Sequence, residues 1–390
     1  MKLSNRITSI SPGGSDGWGV FYRARAMLAA GTPVTELTIG EHDVRTAPDI
    51  LDAMNRAATG GHTGYAIVPG TPALRRAAAD RVTRMTGVPT GPENILITAG
   101  GQAALFAAHL ATCGDGQEGL FIDPYYATYP GTIRAAGGVA VPVQALAEDG
   151  FQPRPDAIAA QAEGAASLLV NSPNNPTGVV YSRETLDGIA AVCRDHDLWL
   201  ISDEVYDCQV WEGEHISPRA LPGMAERTIL VGSMSKSHAM TGSRIGWICA
   251  PVEVIDHLIN LSTNTNYGVA GFVQDAATYA LGLGPQAEAR VAAPFARRRD
   301  MTLALIAGQT TVRAVPPQGA MYTMLDIRAT GLSGEEFANR LLDDEKIAVM
   351  PGESFGTAAA GHIRVAMTIP DLAYEDALRR VLAFAARLAG

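Results

Sequence analysis

The fold is decided by residues 168–201, LLVNSPNNPTGVVYSRETLDGIAAVCRDHDLWLI. The apolar run Leu168-Leu169-Val170 opens this stretch, and a loop rich in Asn and Pro follows it. Residues 183–195 are predicted as a helix, and Leu198-Trp199-Leu200-Ile201 closes the stretch as a second apolar run. Two fully apolar strands joined by a helix are typical of parallel strands that are buried on both faces. This stretch therefore predicts an α/β fold.

The same alternation continues on both sides of that stretch. Residues 101–111 are predicted as a helix, and further short apolar strands are predicted at residues 95–98, 120–122, 139–141, 229–231 and 247–249. These segments together predict a central, mostly parallel sheet flanked by helices. Towards the C-terminus the pattern changes to α+β, with helices at 297–309, 335–342 and 372–388 and strands at 311–315, 321–327, 347–350 and 362–367.

The chain has 390 residues, which is too long for a single small domain with one hydrophobic core. We therefore expect a large domain over residues 45–285 that carries the central sheet. A smaller α+β domain is expected from the two chain ends, residues 1–44 and 286–390. The place of the N-terminal segment in this smaller domain rests only on the family resemblance described below.

Composition and charge exclude several classes of protein. A net charge of −10 argues against a nucleic-acid partner, because nucleic-acid binders normally present a basic surface. Residues 1–11 lack the apolar segment of a signal peptide, and no apolar run is long enough to span a membrane. The cysteines are scattered and lack metal-ligand spacing, so free thiols are expected at Cys113, Cys193, Cys208 and Cys249. These features predict a cytoplasmic protein with no membrane partner and no bound metal.

Polar residues follow the predicted strands, at the edge where open α/β sheets bind their ligands. In chain order they are Gly100, Gly101, Gln102, Tyr126, Asn175, Asp203, Tyr206, Ser233, Lys236 and Arg244. Each has an ordinary structural interpretation as a turn glycine, a core aromatic or a loop residue. Taken together, they predict one site that contains an anion cradle, an aromatic ring, an amide, a carboxylate, a phenol, an amine and an arginine.

One ligand uses all of these groups, the phosphorylated pyridine aldehyde pyridoxal 5′-phosphate (PLP). The amine of Lys236 can form a Schiff base with an aldehyde, and Lys2 and Lys346 are the other lysines of the chain. A carboxylate, here Asp203, keeps the pyridine nitrogen protonated, and an aromatic such as Tyr126 stacks on the ring. Amide and phenol groups can bind the ring oxygen. A glycine-rich helix start and Arg244 can hold the phosphate.

The order of these residues resembles a known family. Asn175-Pro176-Thr177-Gly178, Asp203-x-x-Tyr206 and Ser233-x-x-Lys236 with Arg244 are similar to the signatures of class I and II aminotransferases, PLP enzymes of fold type I. The similarity covers the chain from about Leu37 to its end. It implies that Lys236, Asp203 and Tyr206 are the catalytic residues.

The resemblance also assigns residues that bind the substrate and a neighbouring subunit. Gly40 matches a glycine whose backbone meets the substrate carboxylate, and Arg364 matches the arginine that binds this carboxylate. Asn175 is also expected to bind the substrate. Tyr65 matches a tyrosine that reaches the phosphate of the neighbouring subunit, which implies a homodimer. One departure is that the usual Gly-Glu-Pro-Asp-Phe is here Gly40-Glu41-His42-Asp43-Val44, with His42 either an ordinary loop residue or a contact near the substrate entrance.

The activity implied is a ping-pong transfer of an amino group from an L-amino acid to a 2-oxo acid. Residues 203–222, 235–247 and 326–333 look most like arginine–pyruvate transaminases, so a basic donor with pyruvate as acceptor is expected. A guanidinium donor favours an acidic or aromatic wall. Asp16, Trp18, Glu41 and Asp43 are candidates for that wall, and each is equally interpretable as a surface or capping residue.

Two alternatives share parts of this evidence. A PLP-dependent C–S lyase would use the same core residues, so sequence separates it poorly from an aminotransferase. A PLP-binding transcriptional regulator belongs to a different class and would carry an N-terminal DNA-binding domain. The acidic charge and the early start of the family resemblance disfavour the regulator.

Overall fold

The structure is a computed structural model that describes residues 1–12 and 17–390. Its strands are β1 Thr35–Glu36, β2 Ile95–Thr98, β3 Glu118–Asp123, β4 Val139–Gln144, β5 Ala165–Asn171, β6 Trp199–Asp203, β7 Thr228–Ser233, β8 Gly246–Cys249, β9 Tyr322–Asp326, β10 Ile347–Ala348, β11 Met350–Pro351 and β12 His362–Ala366. Its helices are α1 Asn5–Thr8, α2 Gly19–Ala29, α3 Pro48–Thr59, α4 Pro72–Thr86, α5 Gly101–Thr112, α6 Tyr129–Ala136, α7 Pro155–Ala162, α8 Arg183–Asp195, α9 Met234–Ser237, α10 Val252–Thr263, α11 Gly271–Gly282, α12 Pro285–Ala307, α13 Gly334–Glu345 and α14 Asp371–Ala389.

The large sheet has the strand order β2–β8–β7–β6–β5–β3–β4. Strand β8 runs antiparallel to both of its neighbours, and the other adjacent pairs are parallel. All of its strands except β8 therefore end at the same edge of the sheet. This arrangement confirms the predicted α/β class with a mostly parallel central sheet.

Residues 168–201 form the predicted strand–helix–strand unit as β5, α8 and β6. The side chain of Ser182 caps α8 by accepting a hydrogen bond from the amide of Thr185 at 3.1 Å. On this helix the buried positions follow helical spacing and include Leu186, Ile189, Ala190 and Cys193. This apolar stripe joins Leu168, Val170 and Leu200 in one hydrophobic cluster, so the helix covers one face of the sheet.

A second, antiparallel sheet has the order β11–β12–β9. Strand β1 pairs in parallel with β10, and Leu37 continues the connection by accepting a hydrogen bond from the amide of Ala366 at 2.9 Å. The N-terminal segment therefore packs against the C-terminal unit, and both share a core with the apolar faces of α13 and α14. The domain boundaries at residues 45 and 285 stay a prediction.

Three predicted elements of the C-terminal unit are wrong in detail. Residues 311–315 form no strand and contribute one bridge, between Arg313 and Asp326, because Pro316 and Pro317 follow and have no amide hydrogen to continue a ladder. The strand predicted at 347–350 is divided between β10 and β11, which pair with different partners and are equally buried. The helix predicted at 297–309 begins earlier, at Pro285, and contains Pro294.

Within residues 1–12 and 17–390, the structure contains no helix that is both long and apolar enough to cross a lipid bilayer.

Candidate active site

A cavity of about 400 Å³ opens where the parallel strands of the large sheet end. Most of the predicted site residues line it, namely Gly40, Gly101, Gln102, Tyr126, Asn175, Asp203, Tyr206, Ser233, Lys236, Arg244 and Arg364. Gly100 lies next to this cavity, in contact range of the guanidinium group of Arg244. Tyr65 does not line the cavity, and its side chain is 91% exposed. The fold thus gathers residues from both ends of the chain into one site.

Lys236 lies on the short helix α9, immediately after β7. Ser233 caps this helix, because its hydroxyl accepts a hydrogen bond from the amide of Ser235 at 3.1 Å. The amine of Lys236 donates a hydrogen bond to the carbonyl oxygen of Gly40 and lies 6.0 Å from the centroid of the Tyr206 ring. A primary amine is therefore held inside the cavity by contacts that leave it accessible to a ligand.

Asp203 ends β6 and is almost completely buried. One carboxylate oxygen accepts a hydrogen bond from the hydroxyl of Tyr129 at 2.7 Å, and the other accepts one from the amide of Val205 at 3.3 Å. Burial raises the pKa of Asp203 to about 6, although the hydrogen bond from Tyr129 opposes this rise. Such a carboxylate is well placed to hold a proton between itself and a basic ring nitrogen.

An anion cradle lies at the start of α5. Gly100 precedes the helix with a φ of 82°, and a Cβ atom at this position would lie 2.5 Å from a guanidinium nitrogen of Arg244. The first amides of a helix have no partners within the helix, and they favour an anion together with the helix dipole. Arg244 adds a positive charge here and is anchored through a 2.9 Å hydrogen bond to the carbonyl oxygen of Thr241.

The wall of the cavity beside this cradle is formed by Gln102 and Tyr126. The Gln102 side chain donates to the hydroxyl of Thr132 at 2.9 Å and accepts from the hydroxyl of Thr128 at 3.0 Å. Its polar atoms are therefore directed towards α6, and its backbone amide remains part of the cradle. Burial raises the pKa of Tyr126 to about 12, so this phenol keeps its proton in neutral solution.

Arg364 lies on β12 and is only 1% exposed. Its guanidinium carbon lies 4.4 Å from the ring centroid of Tyr322 and 4.3 Å from that of Phe355. The Nη atoms donate to the side-chain oxygen of Asn175 at 2.8 Å and to the carbonyl oxygen of Thr38, whereas Nε has no hydrogen-bond partner among the described residues. Arg364 also has no acidic ion-pair partner among residues 1–12 and 17–390, and a buried guanidinium of this kind is suited to bind a carboxylate.

Sequence reasoning missed two tyrosines of the cavity. Tyr129 binds Asp203, and examining the aromatic segment after β3 beyond Tyr126 would have included it. Tyr322 lies on β9 and contacts Arg364 and Tyr206, and no local pattern distinguishes it from any other aromatic of a buried strand. Both residues become visible as site residues only after the strands are packed.

His42, the departure from the usual family sequence, is buried. Its ring packs edge-on against Phe295 at 5.2 Å between centroids, and neither ring nitrogen has a hydrogen-bond partner among the described residues. Burial, assisted by the nearby charge of Lys236, lowers the pKa of His42 to about 3. The imidazole is therefore neutral at physiological pH.

The candidates for a guanidinium-binding wall have different surroundings. Glu41 and Trp18 line the cavity, and Glu41 accepts a hydrogen bond from the hydroxyl of Thr241 at 3.2 Å. Asp43 is already engaged by Arg298, which donates to both of its carboxylate oxygens at 2.7 and 3.1 Å. Asp16 lies outside the described residues. Asp43 is thus the least suited of the three described candidates to receive a second cation.

Within the described part of the chain, no group of three or more His, Cys, Asp or Glu side chains is placed to hold a metal ion. The arrangement is instead an amine, a buried acid, a glycine-rich helix start beside Arg244 and a buried arginine around one cavity, on a mostly parallel α/β sheet. This fold and this site define the class of amino-group transferases.

The chain belongs to the class I and II aminotransferase family, whose model matches residues 32–381. It is 40% identical to arginine–pyruvate transaminase AruH of Pseudomonas aeruginosa, over 100% of both chains. It is 37% identical to an aspartate/prephenate aminotransferase of Thermus thermophilus, with 100% of this chain and 99% of the relative covered.

Solved structures agree with this assignment. Aspartate aminotransferase from Thermus thermophilus with maleate has a TM-score of 0.91 and 35% identity, with 100% of both chains covered. The aromatic aminotransferase from Pyrococcus horikoshii has a TM-score of 0.87 and 32% identity over 92% of this chain and 97% of that one. The protein is therefore an amino-acid transaminase of fold type I, as predicted, from a family that uses PLP. The relatives named here support neither the lyase nor the regulator.

Proposed function

We propose that this transaminase binds PLP covalently through Lys236 and transfers amino groups by a ping-pong mechanism. The observation that carries the proposal is that one cavity holds the amine of Lys236, the buried acid Asp203 and the cradle formed by Gly100 and Arg244. These groups fit the aldehyde, the ring nitrogen and the phosphate. When bound, PLP supplies a carbonyl for the substrate amine and a protonated ring that accepts the electrons of the Cα–H bond.

In this proposal the residues of the chain move one proton and hold the substrate in place. The amine of Lys236 takes the proton from the substrate Cα atom and later returns it, first as general base and then as general acid. Asp203 holds a proton at the ring nitrogen, and Asn175 and Tyr206 donate hydrogen bonds towards the ring oxygen. Arg364 binds the substrate α-carboxylate, and this fixes the direction of the Cα–H bond.

We further propose a basic amino donor such as arginine, with pyruvate as the acceptor. Support comes from the name of the relative that is 40% identical over its full length, and from the acid Glu41 and the aromatic Trp18 in the cavity lining. Glu41 has no ion-pair partner among the described residues, whereas Asp43 is neutralised by Arg298. Glu41 is therefore the better candidate to receive the distal guanidinium.

The proposal includes a homodimer in which Tyr65 reaches the phosphate of the neighbouring site. Its support is the exposure of Tyr65, whose ring packs against Tyr267 with 5.2 Å between centroids and otherwise faces outwards. A location in the cytoplasm also stays part of the proposal, and it rests on the sequence.

The decisive experiment is an absorbance spectrum of the purified protein incubated with PLP, followed by borohydride reduction and peptide mapping. We expect a visible absorbance band, and a reduced cofactor attached to Lys236. Lys236→Ala should lose multiple-turnover transamination while retaining its fold. A reduced cofactor mapped to Lys2 or Lys346, or full turnover by Lys236→Ala, would contradict the proposal.

A panel of amino donors with pyruvate then tests the substrate. Activity with arginine or another basic donor supports the proposed donor, and activity restricted to acidic or aromatic donors refutes it. Release of ammonia and pyruvate from a cysteine conjugate without an added 2-oxo acid would instead favour the C–S lyase.

A further inference from the structure

We propose that Tyr322 is a positioning residue of the site, which aligns Arg364 through its ring and Tyr206 through its hydroxyl. This inference rests on the proposed function, because it assigns a task towards the substrate carboxylate and the cofactor oxygen. Tyr322 is 2% exposed and lines the same cavity as Lys236. It lies on β9, next to the strand β12 that carries Arg364.

The ring of Tyr322 forms one side of a clamp around Arg364. The guanidinium carbon lies 4.4 Å from this ring centroid, and Phe355 lies on it at 4.3 Å. Contact with two aromatic rings restricts the tilt of a flat cation, so the directions of its N–H groups are restricted as well. Because Arg364 also lines the cavity, the clamp fixes the direction in which its guanidinium can meet a carboxylate.

The hydroxyl of Tyr322 lies 2.9 Å from that of Tyr206. Burial and the neighbouring phenol raise the pKa of Tyr206 well above its usual value, so the Tyr206 hydroxyl keeps its proton. One hydroxyl donates to the other. If Tyr322 is the donor, the proton of Tyr206 is free to point into the cavity, and a phenol that accepts one hydrogen bond is the stronger donor of the next.

Gly40 explains why the hydroxyl of Tyr322 can lie at this point. A Cβ atom on Gly40 would lie 1.7 Å from the Tyr322 hydroxyl oxygen, so only glycine leaves room for it. The carbonyl oxygen of the same Gly40 accepts the hydrogen bond from Lys236. Tyr322 is therefore in contact with the segment that holds the amine as well as with the arginine and the phenol.

Two substitutions separate the tasks of the ring and the hydroxyl. Tyr322→Phe keeps the ring, so we expect binding of a simple carboxylate such as propionate to stay within about twofold of wild type. Loss of the hydroxyl should weaken the donor at Tyr206 and raise the pH midpoint of the visible cofactor band. Tyr322→Leu removes the clamp as well, and we expect propionate binding to weaken by about tenfold or more, as for loss of a well-formed cation–aromatic contact.

The matched control is Tyr374→Phe, because Tyr374 is an equally buried phenol whose hydroxyl bonds to Thr302 at 2.7 Å, away from the cavity. It should lower the melting temperature without changing the pH midpoint or the affinity for propionate.

Calorimetry with propionate on Tyr322→Leu, whose folding is checked by circular dichroism, tests the clamp without the cofactor. Wild-type propionate affinity in Tyr322→Leu, or an unshifted midpoint in Tyr322→Phe, overturns the inference. A wild-type protein with no cofactor band overturns the proposed function instead, and the propionate comparison still decides the clamp.

Discussion

At the scale of single residues, the buried carboxylate of Asp203 lowers the stability of the cofactor-free protein at neutral pH. Its pKa rises from 3.8 to about 6 on burial, so the folded protein binds the proton more tightly than the unfolded chain. The stabilisation this proton provides is present below pH 3.8 and is lost as the pH rises towards 6. The difference corresponds to about 3 kcal/mol.

We therefore expect Asp203→Asn to stabilise the cofactor-free protein at pH 7.5 relative to wild type, and to abolish transamination. The gain should shrink as the pH approaches 4, because wild-type Asp203 is then protonated in the folded state. Urea unfolding of the cofactor-free proteins between pH 4 and 7.5 measures this, with Asp344→Asn as an exposed control. A difference in unfolding free energy that does not depend on pH would contradict the burial argument.

Glu41 and Asp43 provide a matched pair of acids for testing donor choice. Glu41→Gln should lower kcat/KM for arginine by up to about fivefold, as expected for one exposed ion pair, and leave kcat/KM for alanine unchanged. Asp43→Asn should lower stability, because it removes a partner of the buried Arg298, without changing the arginine-to-alanine ratio. Steady-state kinetics with the two donors measure this ratio. An equal loss for both donors in Glu41→Gln would assign Glu41 a structural role.

At the scale of an element, the start of α5 depends on Gly100. Gly100→Ala would place a Cβ atom 2.5 Å from Arg244 and would strain a backbone with a φ of 82°. We expect the affinity for PLP to fall by about tenfold or more, because Arg244 and the first helical amides can no longer close around one anion. Equilibrium titration of the cofactor band measures the affinity.

The control for this element is Gly87→Ala, at the C-terminal cap of α4. Gly87 has a φ of 70° and nothing within 4 Å of an added Cβ atom, so the substitution introduces the same kind of backbone strain without a clash. It should lower stability and leave the PLP affinity unchanged. Equal losses of PLP affinity in both variants would show that backbone strain, and not the cradle, is responsible.

At the scale of the whole molecule, the proposed homodimer makes each site depend on two chains. A hybrid of Lys236→Ala and Tyr65→Ala chains would contain one site in which both the lysine and the neighbouring tyrosine are wild type. Mixing the two variants under conditions that exchange subunits should therefore restore activity above the sum of the separate variants. Lys236→Ala mixed with Arg364→Ala should show no such gain, since both of these residues line the cavity of their own chain. If the mixture of Lys236→Ala and Tyr65→Ala regains no activity, the proposal that Tyr65 serves the neighbouring site is contradicted.

The succession of apolar strands and helices was enough to define the α/β fold and the cluster of polar residues around Lys236. The physical reason is that parallel strands end at one edge, so residues that directly follow Leu168–Val170 or Ile229–Val231 in the sequence must meet there. The remaining contacts of the site were decided only by the tertiary packing of distant segments. Four contacts show this, and each joins residues far apart in the chain. Tyr129 binds Asp203, Tyr322 binds Tyr206, His42 packs against Phe295, and Arg298 binds Asp43. No local pattern encodes such contacts, because they depend on how the C-terminal unit and the N-terminal segment pack beside the large sheet.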